Sequence, residues 1–164
     1  MRTERTRNLW KGCLTGALGG FVGSFAMGQF HLLVHRAKLS TEHSGEDSTV
    51  KVASAIARHI FHHELTPRQK EAAGPIVHYA FGTSVAAVYG LAIELALVPC
   101  TGWGMPFSVA VWLGAHVIAV PALGLSEPVT ESAPAAEATE FAAHLVYGAV
   151  AESLRSYTRK HLVR

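Results

Sequence analysis

The sequence predicts an all-α fold: an integral membrane bundle of four transmembrane helices, with an amphipathic helix in the first loop. The 164 residues are 49% hydrophobic and 16% charged, whereas soluble domains carry about 25% charged residues. Between Lys70 and Arg155 the chain contains no Lys or Arg, although this interval holds most of the apolar sequence. We therefore expect a single membrane domain over residues 1–164, with a polar loop at 37–73 and spans at about 12–34, 76–98, 105–123 and 136–154.

The first span is rich in glycine. Residues 12–34 contain no Asp, Glu, Lys or Arg, and this stretch is long enough to cross a hydrocarbon layer of about 30 Å. Gly12, Gly16 and Gly20 follow one another at intervals of four, so they lie on one face of the helix. Rows of small residues let helix backbones approach closely in lipid, and these glycines are therefore predicted to be helix-packing positions.

The polar loop at 37–73 contains one amphipathic helix, at 49–61. Its apolar positions recur with helical spacing and form one stripe, which comprises Val50, Ala53, Ile56, Ala57, Ile60 and Phe61. This helix is too short to cross the bilayer, so we expect it on the membrane surface or against the bundle. The histidines within residues 59–63 suit either metal binding or plain exposure at the interface.

The second span follows a clear helix start. Thr66 is placed as the N-cap, Pro67 as the first helical residue and Gln69 as the partner in a capping box. The helix that begins here is expected to continue into the span, with His78 near the start of the span and Glu94 near its end.

The third and fourth spans also carry ionisable side chains. His116 lies near the middle of the third span, and the fourth span contains Glu140, His144 and Glu152. Such groups are costly at membrane depth and normally face protein or a wet cavity. Glu152 and Arg155 are i,i+3 neighbours, which predicts an ion pair at the membrane interface.

Alternating span directions place several of these groups in the same half of the bilayer. The first and third spans end on the side of the long loop, while the second and fourth spans begin there. A late position in the first span and early positions in the second and fourth therefore lie at similar depth. The predicted ligand- or proton-binding residues are His31, His78, His116, Glu140 and His144.

This set of side chains admits three interpretations. They could form hydrogen bonds that fix the helices relative to one another. They could relay protons or hold a cationic or polar ligand, because histidine titrates near about pH 6.5. They could also hold zinc, iron or a haem, for which the expected ligands are His78, His116, His144 and Glu140.

Catalysis and nucleic-acid binding are not predicted. The chain has no nucleophile motif, phosphate-binding loop or His-Glu-x-x-His motif, and Glu140 and His144 match a hydrolase motif only in their spacing. A net charge of +2 gives no support for binding nucleic acid. We therefore expect a protein that is not an enzyme and whose partners are the lipid bilayer and either a second copy or other membrane proteins.

Several short motifs follow one another in a characteristic order: residues 78–82 with Glu94, His116 with residues 120–128, residues 140–148, and Glu152 with Arg155. In this order they resemble the YagU-like family of bacterial inner-membrane proteins, a family of unknown function. The glycine-rich first helix and residues 65–67 are also similar, so the resemblance covers nearly the whole chain. It implies an integral inner-membrane protein with a small helical bundle, and it implies no particular activity.

The predicted function is that of an uncharacterised multi-pass inner-membrane protein with a buried His/Glu pocket. This pocket would bind or conduct protons, a metal cation or a small polar solute. The alternative is a non-catalytic structural or interaction subunit that packs through its glycine-rich first helix. Eight of the 14 Lys and Arg residues lie at or near the termini, so the positive-inside rule favours cytoplasmic termini.

Overall fold

The computed structural model describes residues 8–37, 47–95, 102–126 and 130–161, and all the regular elements of these segments are helices. The long elements are α1 (Leu9–Arg36), α2 (Ser48–Ile60), α3 (Pro67–Glu94), α4 (Met105–Ala122) and α5 (Pro134–His161). The prediction of an all-helical protein is therefore confirmed, and the amphipathic helix expected at 49–61 is present as α2.

Three of these helices are long and apolar enough to cross a membrane: α1, α3 and α4. The fourth predicted span, at 136–154, lies within α5, which has the same 28-residue length as α1 and α3. Glu137, Glu140, Glu152 and Arg155 lower its apolar character, so length and composition alone do not identify α5 as a span.

The start of α3 follows its capping sequence. The Thr66 side chain accepts a hydrogen bond from the backbone N–H of Gln69, whose own side chain accepts from the backbone N–H of Thr66. The helix then runs without interruption through Pro75 and ends at Glu94. The end predicted for this span, at residue 98, falls outside the described residues.

Antiparallel packing of α1 on α3 depends on glycine. A Cβ atom added to Gly16 would overlap the carbonyl oxygen of Ala86. One added to Gly20 would overlap the carbonyl oxygen of Gly82 and the side chain of Ala86. Gly12 in the same way lies against Gly90. Each step of four residues along α1 therefore matches a step of four along α3, at backbone contact distance.

A second glycine face of α1 packs against α5. Gly19 lies against Ala151 and Gly23 against Tyr147, so α1 sits between α3 and α5 and runs antiparallel to both. The small apolar core lies at this junction and consists of Met27, Ala86, Ala143 and Tyr147. The Tyr147 hydroxyl crosses it and donates a 2.6 Å hydrogen bond to the carbonyl oxygen of Gly82.

The fourth helix, α4, packs on the outer side of α5. Its first turns contact α5 where Ser108 lies against Gly148. The middle of α4, Trp112–Ala119, is a π-helix, in which the backbone hydrogen bonds span five residues rather than four. Pro121 follows directly, and a proline ring clashes with the carbonyl group four residues earlier in an α-helix. The wider turn gives this carbonyl room, and the N–H of Val120 bonds to the carbonyl of Ala115.

Candidate functional site

Four histidines meet in one half of the bundle, and each comes from a different long helix. They are His31 of α1, His78 of α3, His116 of α4 and His144 of α5. His144 is buried, the ring of His116 lies 6.0 Å from it between centroids, and His31 contacts Glu140, one turn earlier on α5. The structure therefore brings His31 and His116 to the face of α5 that carries His144.

The geometry of His144 determines which ring nitrogen holds its proton. Its Nδ1 lies 2.8 Å from the carbonyl oxygen of Glu140, one turn earlier on α5. Because a carbonyl oxygen can only accept, Nδ1 carries the hydrogen, and Nε2 of the neutral ring presents a lone pair. Within the described residues, Nε2 makes no hydrogen bond. His144 is thus a buried imidazole with one nitrogen held and the other available.

Two of the neighbouring histidines are paired with carboxylates. His116 Nε2 lies 3.0 Å from Glu137 Oε2, and His31 Nε2 lies 3.7 Å from Glu140 Oε2. The side chains of His31 and Glu140 remain 36% and 27% exposed, so this pair forms the accessible edge of the site. Side-chain exposure therefore decreases across the site, from the partly exposed His31–Glu140 pair to the buried ring of His144.

Glu137 is a member of this site that the sequence interpretation did not include. It precedes Glu140 by three residues and His144 by seven, so all three lie on one face of α5. That spacing was visible in the sequence. Only the contact between α4 and α5 shows that Glu137, rather than Glu140, meets His116.

His78 makes a different kind of contact. Its Nε2 lies 3.1 Å from the backbone carbonyl oxygen of Ser24 and therefore donates to it. The ring also packs edge-on against Tyr79 at a centroid distance of 5.6 Å. His78 consequently joins α3 to α1 on the side of the bundle that contains His144.

Aromatic rings border the site on the α4 side. Trp112 stacks beside His116 at a centroid distance of 6.3 Å and meets Phe141 edge-on at 5.0 Å. The rings of His116 and His144 are 6.0 Å apart. Of the described polar side-chain atoms that are buried, Trp112 Nε1 is one without a hydrogen-bond partner. The rings of Trp112 and Phe141 thus lie beside His116 on this side of the site.

The described segments contain no group of three or more His, Cys, Asp or Glu side chains that could hold a metal ion. The expected metal ligands instead have separate partners. His78 faces a backbone carbonyl, His116 pairs with Glu137, and the Glu140 carboxylate pairs with His31. This geometry gives no support for a zinc, iron or haem centre formed by His78, His116, Glu140 and His144.

Two buried ion pairs lie in the opposite half of the bundle. Arg155 Nε bonds to Glu152 Oε2 at 2.7 Å, which confirms the predicted i,i+3 pair. Arg159 Nε bonds to Glu94 Oε1 at 2.6 Å and so joins α5 to α3, a contact that sequence spacing does not reveal. The side chains of Arg155 and Glu94 are each only 1% exposed, in contrast to the open His31–Glu140 pair.

Comparison with protein families identifies one match. The family described as "Protein of unknown function (DUF1440)" matches residues 53–153, and the chain belongs to this family. The matched segment includes four of the five predicted site residues and Glu137, whereas His31 and Arg159 lie outside it. No curated protein and no solved structure matches the chain.

Proposed function

We propose that this member of the DUF1440 family is a four-span, non-enzymatic membrane protein whose His–Glu cluster binds and conducts protons. The proposal extends the known features, which are an uncharacterised family and helices able to span a membrane. It places the protein in a bacterial inner membrane with cytoplasmic termini, as the charge distribution and the YagU-like resemblance suggest.

The packing of α5 supports its assignment as the fourth span. It runs antiparallel to α1 through the contacts of Gly19 and Gly23, so it occupies the same depth as a helix that is apolar enough to cross. Its 28 residues extend about 42 Å at about 1.5 Å per residue. The carboxylates that flank its apolar stretch, Glu140 and Glu152, lie against His31 and Arg155, and such pairing lowers the cost of placing them near lipid.

The observation that supports the proposal is that His144 Nε2 makes no hydrogen bond within the described residues, while Nδ1 is held by the Glu140 carbonyl. A neutral imidazole whose Nδ1–H is held by a carbonyl can accept a proton at Nε2 and release it from the same atom. His116 is the next imidazole, 6.0 Å away between ring centroids, and its Nε2 contacts Glu137. The two rings share no hydrogen bond within the described residues, so proton transfer between them would pass through bridging water. The side chains of His31 and Glu140 are partly exposed, and they supply the route by which protons enter or leave the cluster.

The experiment is a proton-flux assay in liposomes. The purified protein is reconstituted, a potassium diffusion potential is imposed, and internal pH is followed with a trapped dye. We expect flux above that of empty liposomes for the native chain and loss of that flux in His144→Leu. His161→Leu is the matched control, because it makes the same change on the same helix at an exposed position outside the cluster.

His144→Gln guards against a folding defect, since it keeps a polar side chain of similar size but cannot carry a proton. The proposal requires that it also lose flux while the protein elutes from gel filtration as the native chain does. Native flux no greater than that of empty liposomes, or undiminished flux in a folded His144→Gln protein, would refute proton conduction.

The alternative of a scaffold that binds partners through the glycine-rich first helix receives less support. Gly12, Gly16 and Gly20 lie against α3, and Gly19 and Gly23 lie against α5, so both glycine faces are used within the chain. A partner subunit or a second copy would have to bind other surfaces of α1.

A further inference from the structure

The amphipathic helix α2 has two apolar edges, and only one of them is covered. Ala53 and Ala57 are buried, and Val50 contacts Gly74 of α3. On the other edge, Ile60 is 66% exposed and Ile56 is 39% exposed. The structure thus divides the single apolar stripe of the sequence into a packed edge and an open edge.

The depth of α2 follows from its contacts and from the register of α1 on α3. Val50 lies beside Gly74, and His63, which follows α2, lies 3.4 Å from the side chain of Gln69. If the pairing of Gly16 with Ala86 is continued along both helices, Gln69 and Gly74 of α3 lie level with residues 33 and 28 of α1. Both belong to the end of the uncharged stretch of α1, which stops at residue 34, so α2 lies near the depth where the apolar part of the bundle ends.

The spans also expose large apolar side chains towards this end of the bundle. Leu33 of α1 is 64% exposed and Ile76 of α3 is 65% exposed, and both lie on helices apolar enough to cross a membrane. Arg58 of α2 is exposed and points about 200° away from Ile60, because successive residues of a helix are about 100° apart. An apolar edge and an opposite basic side chain are the features of a helix that lies at the boundary of headgroups and acyl chains.

We propose that α2 is an interfacial membrane anchor whose edge of Ile56 and Ile60 is inserted into the bilayer. The edge contacts the acyl chains nearest the headgroups, and Arg58 faces the headgroup phosphates and water. The anchor also holds the first two turns of α3, through Val50 and Gly74, at a fixed depth on the side of the His–Glu cluster. It does not depend on proton conduction, and a protein without flux would still contain it.

Site-directed fluorescence quenching tests the anchor in the full-length chain. Cys13 and Cys100 are first replaced, as Cys13→Ser and Cys100→Ser, and a single cysteine is then introduced as Ile60→Cys. An environment-sensitive label is attached, and the protein is placed in nanodiscs with one copy per disc. The matched control is Arg58→Cys, two residues earlier on the opposite face. Each label is quenched separately by iodide in water and by nitroxide-labelled phospholipid.

The proposal predicts that the label at position 60 has blue-shifted emission, is quenched by the nitroxide lipid and has lost quenching by iodide. The label at position 58 should show the reverse. Quenching of the position-60 label by iodide but not by the nitroxide lipid would place the edge in water and overturn the proposal. Protection from both quenchers in single-copy nanodiscs would mean that protein covers the edge, which would also overturn it.

Discussion

Replacing Gly16 by alanine tests the packing on which the whole bundle depends. The added Cβ would overlap the carbonyl oxygen of Ala86, and this atom belongs to the backbone of α3 and cannot rotate away. Gly28 lies on the same helix, and a Cβ added there meets nothing within 4 Å. Gly16→Ala and Gly28→Ala are therefore the same chemical change on the same helix. The new methyl group meets the backbone of α3 in Gly16→Ala and meets no neighbouring atom in Gly28→Ala.

The expected magnitude follows from the size of the overlap. Carbon atoms in contact lie about 3.5–4.0 Å apart, so α1 and α3 must separate by roughly 1 Å to admit the methyl group. A gap of about 0.5–1 Å forfeits a quarter to a half of the dispersion attraction of the atoms concerned. Overpacked sites typically cost about 1–3 kcal/mol, against which alanine gains up to about 1 kcal/mol over glycine in helix propensity. We expect Gly16→Ala to lower the free energy of unfolding by about 1–2 kcal/mol.

Unfolding by SDS in mixed micelles, followed by tryptophan fluorescence, measures this difference. Gly28→Ala should be as stable as the native chain or slightly more stable, because it meets no steric obstacle. The reasoning fails if the two variants unfold at the same SDS fraction, since α1 and α3 would then not be in backbone contact at Gly16.

Two further substitutions test contacts between helices by the same assay. Tyr147→Phe removes the 2.6 Å hydrogen bond to the Gly82 carbonyl while keeping the ring beside Phe107, so we expect a loss of about 1 kcal/mol. Tyr157→Phe, at an exposed position of the same helix, should change nothing, and equal effects of the two would contradict the assigned bond. Glu94→Gln leaves Arg159 without its carboxylate partner, and breaking a buried pair in this way costs about 3–5 kcal/mol. The double exchange Glu94→Arg with Arg159→Glu should recover part of this loss, and no recovery would argue against a direct pair.

The helical architecture was predictable because it depends on local sequence. Uncharged length identifies α1, α3 and α4 as helices able to cross a membrane, and the capping residues Thr66 and Gln69 mark the start of α3. The alternating direction of successive spans also predicts, without any knowledge of packing, that His31, His78 and His144 lie at similar depth. These features follow from hydrophobic length and helix rise alone.

The pairing of side chains was less predictable. Glu137 was overlooked as the partner of His116, and Glu94 was not matched with Arg159, which lies 65 residues away in the chain. The π-helical segment before Pro121 was also not expected. The two side-chain pairs depend on how a helix is rotated about its own axis, which mean hydropathy does not specify.

The sequence by itself determined that the chain is helical and apolar, with three helices long enough to cross a membrane. Only the tertiary structure decided that Gly16 and Gly20 face α3 while Gly19 and Gly23 face α5. That choice sets the rotation of α1 and, through it, brings His31 to Glu140. The physical reason is that close backbone contact at glycine fixes both rotation and register, and such contact is a property of two helices rather than of either sequence alone.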